Sequence, residues 1–368
     1  MRDLTFEENQ PGFDRHAITL NPDVTLRLAR VYVEGCGHLT DGGGGIRVGE
    51  GASASVSGSR VWYNAGFEGA GIVVEGGSAF VFQSRASNNA AAVHGGGIAV
   101  LGIPPVSAVG VTVQESDILS NTSVQGGGIW VGEGTQLLVQ DSYLEGNQAT
   151  IGPMVDRLGG GVYSNGPVEI TGTTISGGAA VLGIAIAVED SGDGLAQLDL
   201  VNSTVSATAV DPGDVAIVID GASAELLFVT MADNSLDVYT TASTLTIGAS
   251  LFEGGCLQGG GTTIQSNGDN IGLGSSCWVG APGPGDLVVA DLMLAPLAWV
   301  GGESLVHLPQ STSPVLDHVS GPCLALDQRG FTRPAVGCDS GSVERLPLEA
   351  IFLDDFESGD TSAWTVTP

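Results

Sequence analysis

The chain has 368 residues, with 58 Gly, no Lys, and 11 Arg against 41 Asp and Glu, for a net charge of −30. That balance argues against nucleic acid as a partner, and the span from Arg157 to Arg329, with no Arg between them, should repel DNA, RNA, pectate or alginate. No apolar run reaches the ~18 residues that a membrane helix needs. The acidity fits a soluble exported surface, and Ca²⁺ is the one cofactor it allows for.

In chain order, apolar residues recur at one position of a repeated frame: Phe6, Val31, Val61, Ala86, Ile118, Leu144, Ile175, Val205, Met231 and Leu251. The steps of 20 to 32 residues, with short Gly-bounded strands and no helical period, read as a solenoid. A Gly turn opens each first strand, as in Gly71-Ile72-Val73-Val74 and Gly128-Ile129-Trp130-Val131. An alternating strand such as 79–83 follows, and then a third strand that ends near Asn. Three strands per rung predict an all-β chain: a single-stranded parallel β-helix of about ten rungs over residues 1–255. Asn64, Asn89, Asn121, Asn147 and Asn234 are expected to line one corner as a ladder. The frame places Met1 inside a rung, so further rungs and an export signal are expected upstream. Residues 101–109, 150–158, 190–194 and 210–213 read as loops that leave the rod.

From about residue 255 the frame fades. Residues 256–346 read as an irregular C-terminal cap over the open end of the coil, and residues 347–368 as a short acidic tail. Cys256 and Cys277 bracket one loop of the cap and Cys323 and Cys338 another, neither with metal-ligand spacing, so two disulfides and an oxidising compartment are expected. Cys36 is left over as a buried thiol.

The Gly-Gly-Gly-Ile turns at 95–98 and 126–129 resemble repeats of bacterial right-handed parallel β-helix surface proteins and, more loosely, those of chlamydial polymorphic outer membrane proteins. The motifs Gly268-Asp269-Asn270-Ile271, Ala290-Asp291-Leu292, Ser313-Pro314-Val315-Leu316-Asp317, Asp327-Gln328-Arg329-Gly330, Arg333-Pro334 and Cys338-Asp339-Ser340-Gly341 occur in order. Over residues 255–344 they resemble the choice-of-anchor Q family. That resemblance implies a pectin-lyase-like right-handed β-helix, export, and display at a bacterial surface, without implying a reaction; the chain is expected to be a monomer. The tail, with Phe356-Glu357-Ser358-Gly359-Asp360, is similar to endings of exported bacterial proteins and is a candidate sorting segment.

Two functions remain open at this point, a non-enzymatic adhesin-like display protein and a polysaccharide-active lyase or hydrolase. No Asn-Thr-Asp, Gly-His-Gly or Arg-x-Pro-x-x-Arg constellation is present, so no catalytic residue is named. The residue before each inward position reads Thr5, Arg30, Arg60, Arg85, Asp117, Tyr143, Thr174, Thr204, Thr230 and Ser250. Arg30, Arg60 and Arg85 on successive rungs, with Trp62, Tyr63 and Tyr32 nearby, form a candidate strip for carboxylate or sulfate groups of cell-surface or matrix glycans. The Thr204–Thr230 stretch of that column reads as ordinary surface. A groove setting these Arg beside two or more carboxylates would point to the enzyme, and a convex surface to display. The acidic loops at 190–194 and 211–214 match neither the EF-hand nor the β-roll calcium pattern.

Overall fold

The computed structural model describes residues 2–7 (as backbone), 16–39, 44–102, 109–206 and 214–345. Met1, the Pro104-Pro105 loop, Asp211 to Gly213 and the tail at 347–368 lie outside the described residues. The rung that begins at Ile72 shows the plan. Strands Ile72–Glu75, Ser78–Phe82, Arg85–Ser87 and Ala90–His94 run round one turn. Each pairs in parallel with its equivalent one rung on. The strands stay short because inward apolar residues alternate with outward ones for only three to five residues before a corner intervenes.

Ten strands stack on one side, from Ile18–Leu20 to Cys256–Gln258. Four stack on another, from Ala65–Glu68 to Gln148–Ala149, and 21 form one long sheet, with Val319–Pro322 and Val336–Cys338 as a separate antiparallel pair. Parallel pairing continues past residue 255 as far as Leu287–Val288, well after the apolar frame fades in the sequence. The inner column runs Val33, Val61, Ala86, Ile118, Leu144, Ile175, Val205, Met231, Phe252, with Phe6 level with Val33 in the backbone register. Val33 and Phe252 thus replace the expected Val31 and Leu251. Val31 and Val33 lie two apart in sequence and are both buried, so alternation alone could not choose between them. Leu251 is buried on the opposite side of its strand, in a cluster with Ile271, Leu292 and Val315.

Two corners are built to one design, a residue in the left-handed backbone region followed by an inward polar side chain. At the first corner the left-handed residues include Arg30, Gln83, Glu115, Asp141 and Asn202, with φ of 45° to 53°. After each of these except Arg30, which precedes Val31, the next residue carries a hydroxyl. Ser59 Oγ accepts from the Val31 N–H, Ser84 Oγ from Ser59, Ser116 Oγ from Ser84, Ser142 Oγ from Ser116, Thr173 Oγ1 from Ser142 and Ser203 Oγ from Thr173, all at 3.0–3.2 Å. At the second corner Tyr63, Asn88 and Ser120 are left-handed, with φ of 53° to 54°. Asn64, Asn89, Asn121 and Asn147 follow as a ladder, each Oδ1 accepting from the backbone N–H one rung back at 3.0 Å. Asn234 donates the equivalent bond to the Val205 carbonyl and another to Asp237 Oδ1, both at 3.1 Å, and Gly178 stands where the rung after Asn147 would carry its Asn. Cys36 is buried at the head of this ladder and forms no disulfide. A left-handed non-Gly residue costs about 1–3 kcal/mol, which persists only where the surroundings over-determine it.

The C-terminal segment departs from the expected cap. The last rungs carry the Cys256–Cys277 disulfide and Trp278, which packs into the core and meets the Phe252 ring edge-on at 6.3 Å. Residues 291–344 fold back along the flank as a strap, with the second disulfide, Cys323–Cys338, inside it. The Thr column is therefore not surface: Thr174, Thr204 and Thr230 are buried under the strap. Thr204 Oγ1 bonds Gln328 at 2.6 Å and Ser342 at 2.9 Å, and Gln328 Nε2 donates to Thr174 at 2.7 Å and to Ser304 at 3.0 Å. Buried Arg333 donates to Gly341 O at 2.7 Å and Glu344 at 3.2 Å, and lies over the Phe228 ring at 4.8 Å.

Asn121 holds two neighbouring rungs, accepting from Asn89 and donating to Ala86 O at 3.0 Å. Asn121→Ala is expected to lower unfolding free energy by roughly 3 kcal/mol, since buried donors and acceptors lose their partners. Urea denaturation checks this, and a loss under about 1 kcal/mol would contradict the ladder's role. Burial pushes Asp237 up to about 8 and Glu344 up to about 7, from ordinary values of 3.8 and 4.5. Both groups hold their proton more tightly folded than unfolded. The stability they contribute is thus complete at acid pH and is lost as pH rises through about 4 to 8. The thermal midpoint should fall across that window, and Asp237→Asn should flatten the fall. A midpoint rising with pH would refute this.

Candidate functional site

The outer side of the first corner is a groove of about 760 Å³. Its floor is the outward column Tyr32, Arg60, Arg85, Asp117, Tyr143, one residue per rung, which continues as Thr174 beneath the strap. Arg30 does not belong to this column. The register sets Tyr32, not Arg30, beside Arg60, and Arg30 takes the left-handed corner position level with Gly58. The expected strip of three Arg is therefore two Arg behind a Tyr. Trp62, the next outward residue of its strand, packs edge-on against Tyr32 at 5.8 Å and supports the groove without lining it.

The two Arg differ. Arg85 donates from Nη2 and Nε to Asp117 Oδ2 at 2.6 and 3.0 Å, which neutralises it. Arg60 is exposed and makes no hydrogen bond or ion pair among the described residues. Gln83 Nε2 donates to Glu115 at 2.7 Å. The Tyr143 hydroxyl lies 3.1 Å from Ser176 Oγ, and burial, reinforced by Glu145 and Asp117, raises its pKa, so it stays a neutral hydroxyl. The far wall comes from the strap, as Trp299, 59% exposed, and Glu303. Both sit at the tip of a hairpin whose base pairs Ala298 with Val306 through reciprocal 3.0 Å bonds. The neighbouring Ser304 is tied to Thr174 at 3.2 Å. The groove thus runs from an uncompensated cation beside an aromatic ring, through a neutral ion pair, to carboxylates under an indole.

Sequence reasoning located Arg60, Arg85, Asp117 and Tyr143 by periodicity but missed Trp299 and Glu303. The strap contacts its rungs across sequence separations of up to 154 residues, which no local pattern encodes. It also missed the outward face of the ten-strand stack. There Trp130 and Tyr163 stand in register, His94 stacks on Trp130 at 4.3 Å, and the Tyr163 hydroxyl donates to Glu189 at 2.8 Å. The middle residues of Ile129–Val131 and Val162–Ser164 were the available signal. A second concavity of about 680 Å³ lies on the long sheet, floored by Ser, Thr and Gln with Arg27 towards one end and Glu169 and Asp199 towards the other.

No group of three or more metal-ligating side chains converges among the described residues. Asp190 spends its carboxylate on the amides of Gly192 and Gly194, at 3.0 and 2.9 Å, closing its own turn. No helix among the described residues is long and apolar enough to cross a membrane. None of the curated proteins and none of the solved structures compared with the chain matched it. A family model described as a right handed beta helix region matches residues 44–232, over half of the chain, and with the parallel stacks above it shows that the chain belongs to the right-handed parallel β-helix family.

Proposed function

We propose that the chain is a non-enzymatic, adhesin-like display protein, exported to a bacterial surface, that contacts glycans through the groove at Arg60. One observation carries this reading: a chain of net charge −30 keeps the Arg60 guanidinium exposed, unpaired among the described residues and beside Tyr32 in a groove. Arg with an aromatic neighbour suits a sugar that carries a carboxylate or sulfate, since the guanidinium matches that geometry and the ring offers stacking area. The disulfides Cys256–Cys277 and Cys323–Cys338 fit an oxidising compartment, and the resemblance of residues 255–344 to the choice-of-anchor Q family supports surface display.

A polysaccharide-active enzyme is the second reading, and the groove meets the condition set for it from the sequence, since Arg60 and Arg85 stand beside the four carboxylates of Glu115, Asp117, Glu145 and Glu303. A glycosidase needs two of them free, one as acid and one as base or nucleophile. Asp117 is held by Arg85 and Glu115 by Gln83, which leaves Glu145 and Glu303.

A glycan array with and without Ca²⁺, on the wild type and Arg60→Ala, tests the proposal. The expected result is saturable binding that the variant weakens by about tenfold, roughly 1.4 kcal/mol, with no release of reducing ends from bound glycans. Reducing ends released by the wild type but not by Glu303→Gln would favour the enzyme, and absence of binding would remove the glycan reading.

A further inference from the structure

We infer that the groove selects a glycan bearing one anionic residue beside neutral sugars, with the anion on Arg60 and the neutral end against Trp299. This rests on the glycan reading and adds the ligand's charge pattern and its direction. The argument follows from the order of charges along the column. Arg60 is the unpaired cation, Arg85 is cancelled by Asp117, and the far end holds Glu145 and Glu303. Successive rungs stand about 4.8 Å apart, so Arg60 to Tyr143 spans about 14 Å, room for a short oligosaccharide. A polymer charged on every sugar would satisfy Arg60 once and then place further anions beside Glu145 and Glu303. That repulsion selects against polyanions as surely as Arg60 selects for one anion. Neutral sugars suit the far end instead, where carboxylates accept hydroxyl protons, the Tyr143 hydroxyl stays neutral and an exposed indole offers a stacking face.

The strap sets the direction. It buries the column from Thr174 onward, so the column is open only as far as Tyr143. Trp299 is presented by a braced hairpin: Val300 O accepts from Arg329, which is itself paired to Asp327 at 2.7 Å. The ring is therefore exposed on an anchored backbone, the state expected of a stacking residue that orders little when a sugar arrives.

Calorimetric titration of the whole chain with three probes tests this: a neutral hexasaccharide, the same hexasaccharide ending in one uronic acid, and an oligogalacturonate of equal length. The singly charged probe should bind at least about tenfold more tightly than either other. Arg60→Ala should reduce it to the neutral level, and Trp299→Ala should weaken the neutral and singly charged probes alike, with thermal midpoint unchanged. Tightest binding by oligogalacturonate, lost in Arg60→Ala, would overturn the inference and leave the glycan reading standing. Unchanged affinity in Trp299→Ala would overturn the direction assigned to the ligand. No binding of any probe would overturn both.

Discussion

A coiled chain of short parallel strands must satisfy the backbone N–H groups that its corners turn away from the sheets, and the rest of this molecule depends on how it does so. Strand amides pair with the next rung automatically, but corner amides do not. Here each of two corners spends a left-handed residue to bring the following side chain inward, and that side chain accepts the N–H of the neighbouring rung. The hydroxyl ladder from Ser59 to Ser203 and the amide ladder from Asn64 to Asn147 are thus backbone-pairing devices made of side chains. Their polar atoms are buried but partnered, so the core carries them at little cost.

The corners also decide where chemistry can sit. Because the residue before each hydroxyl is left-handed, the residue after it begins a new strand pointing outward, and those residues make the groove floor from Tyr32 to Tyr143. On later rungs the same outward position holds Thr174, Thr204 and Thr230, small enough for the strap to lie against and able to bond it. One column is therefore binding surface at one end and a docking rail at the other, and the change occurs where Tyr gives way to Thr. The strap supplies Trp299 and Glu303 at that junction, so the groove belongs to both halves of the chain.

The coil was legible because its signals are local: a recurring apolar position, Gly before strands, Asn at one corner. Both disulfides were legible from the loops they bracket. The exact register was not, since Val31 and Val33 satisfy the same alternation and only pairing of 32–34 with 60–62 separates them. That ambiguity moved Arg30 into the wrong column. The hydroxyl ladder was overlooked because Ser is common in turns and its inward direction is not written in its identity. The strap was misplaced for a different reason. A segment of irregular loops was expected to close an open end, but Trp278 already packs on Phe252 in the core of the last rungs, and residues 291–344 lie against the flank at Thr174, Thr204 and Thr230.

The measurement that bears most directly on the ladders is residue-resolved amide hydrogen exchange of the intact chain. The corner N–H groups of Ser59, Ser84, Ser116, Asn64, Asn89 and Asn121 should exchange as slowly as strand amides such as those of Val61 and Ile118, because each is held by an inward side chain one rung on. Corner amides exchanging freely while the strands stay protected would contradict the account: the turns would be ordinary surface loops, and the groove they position would have no fixed floor.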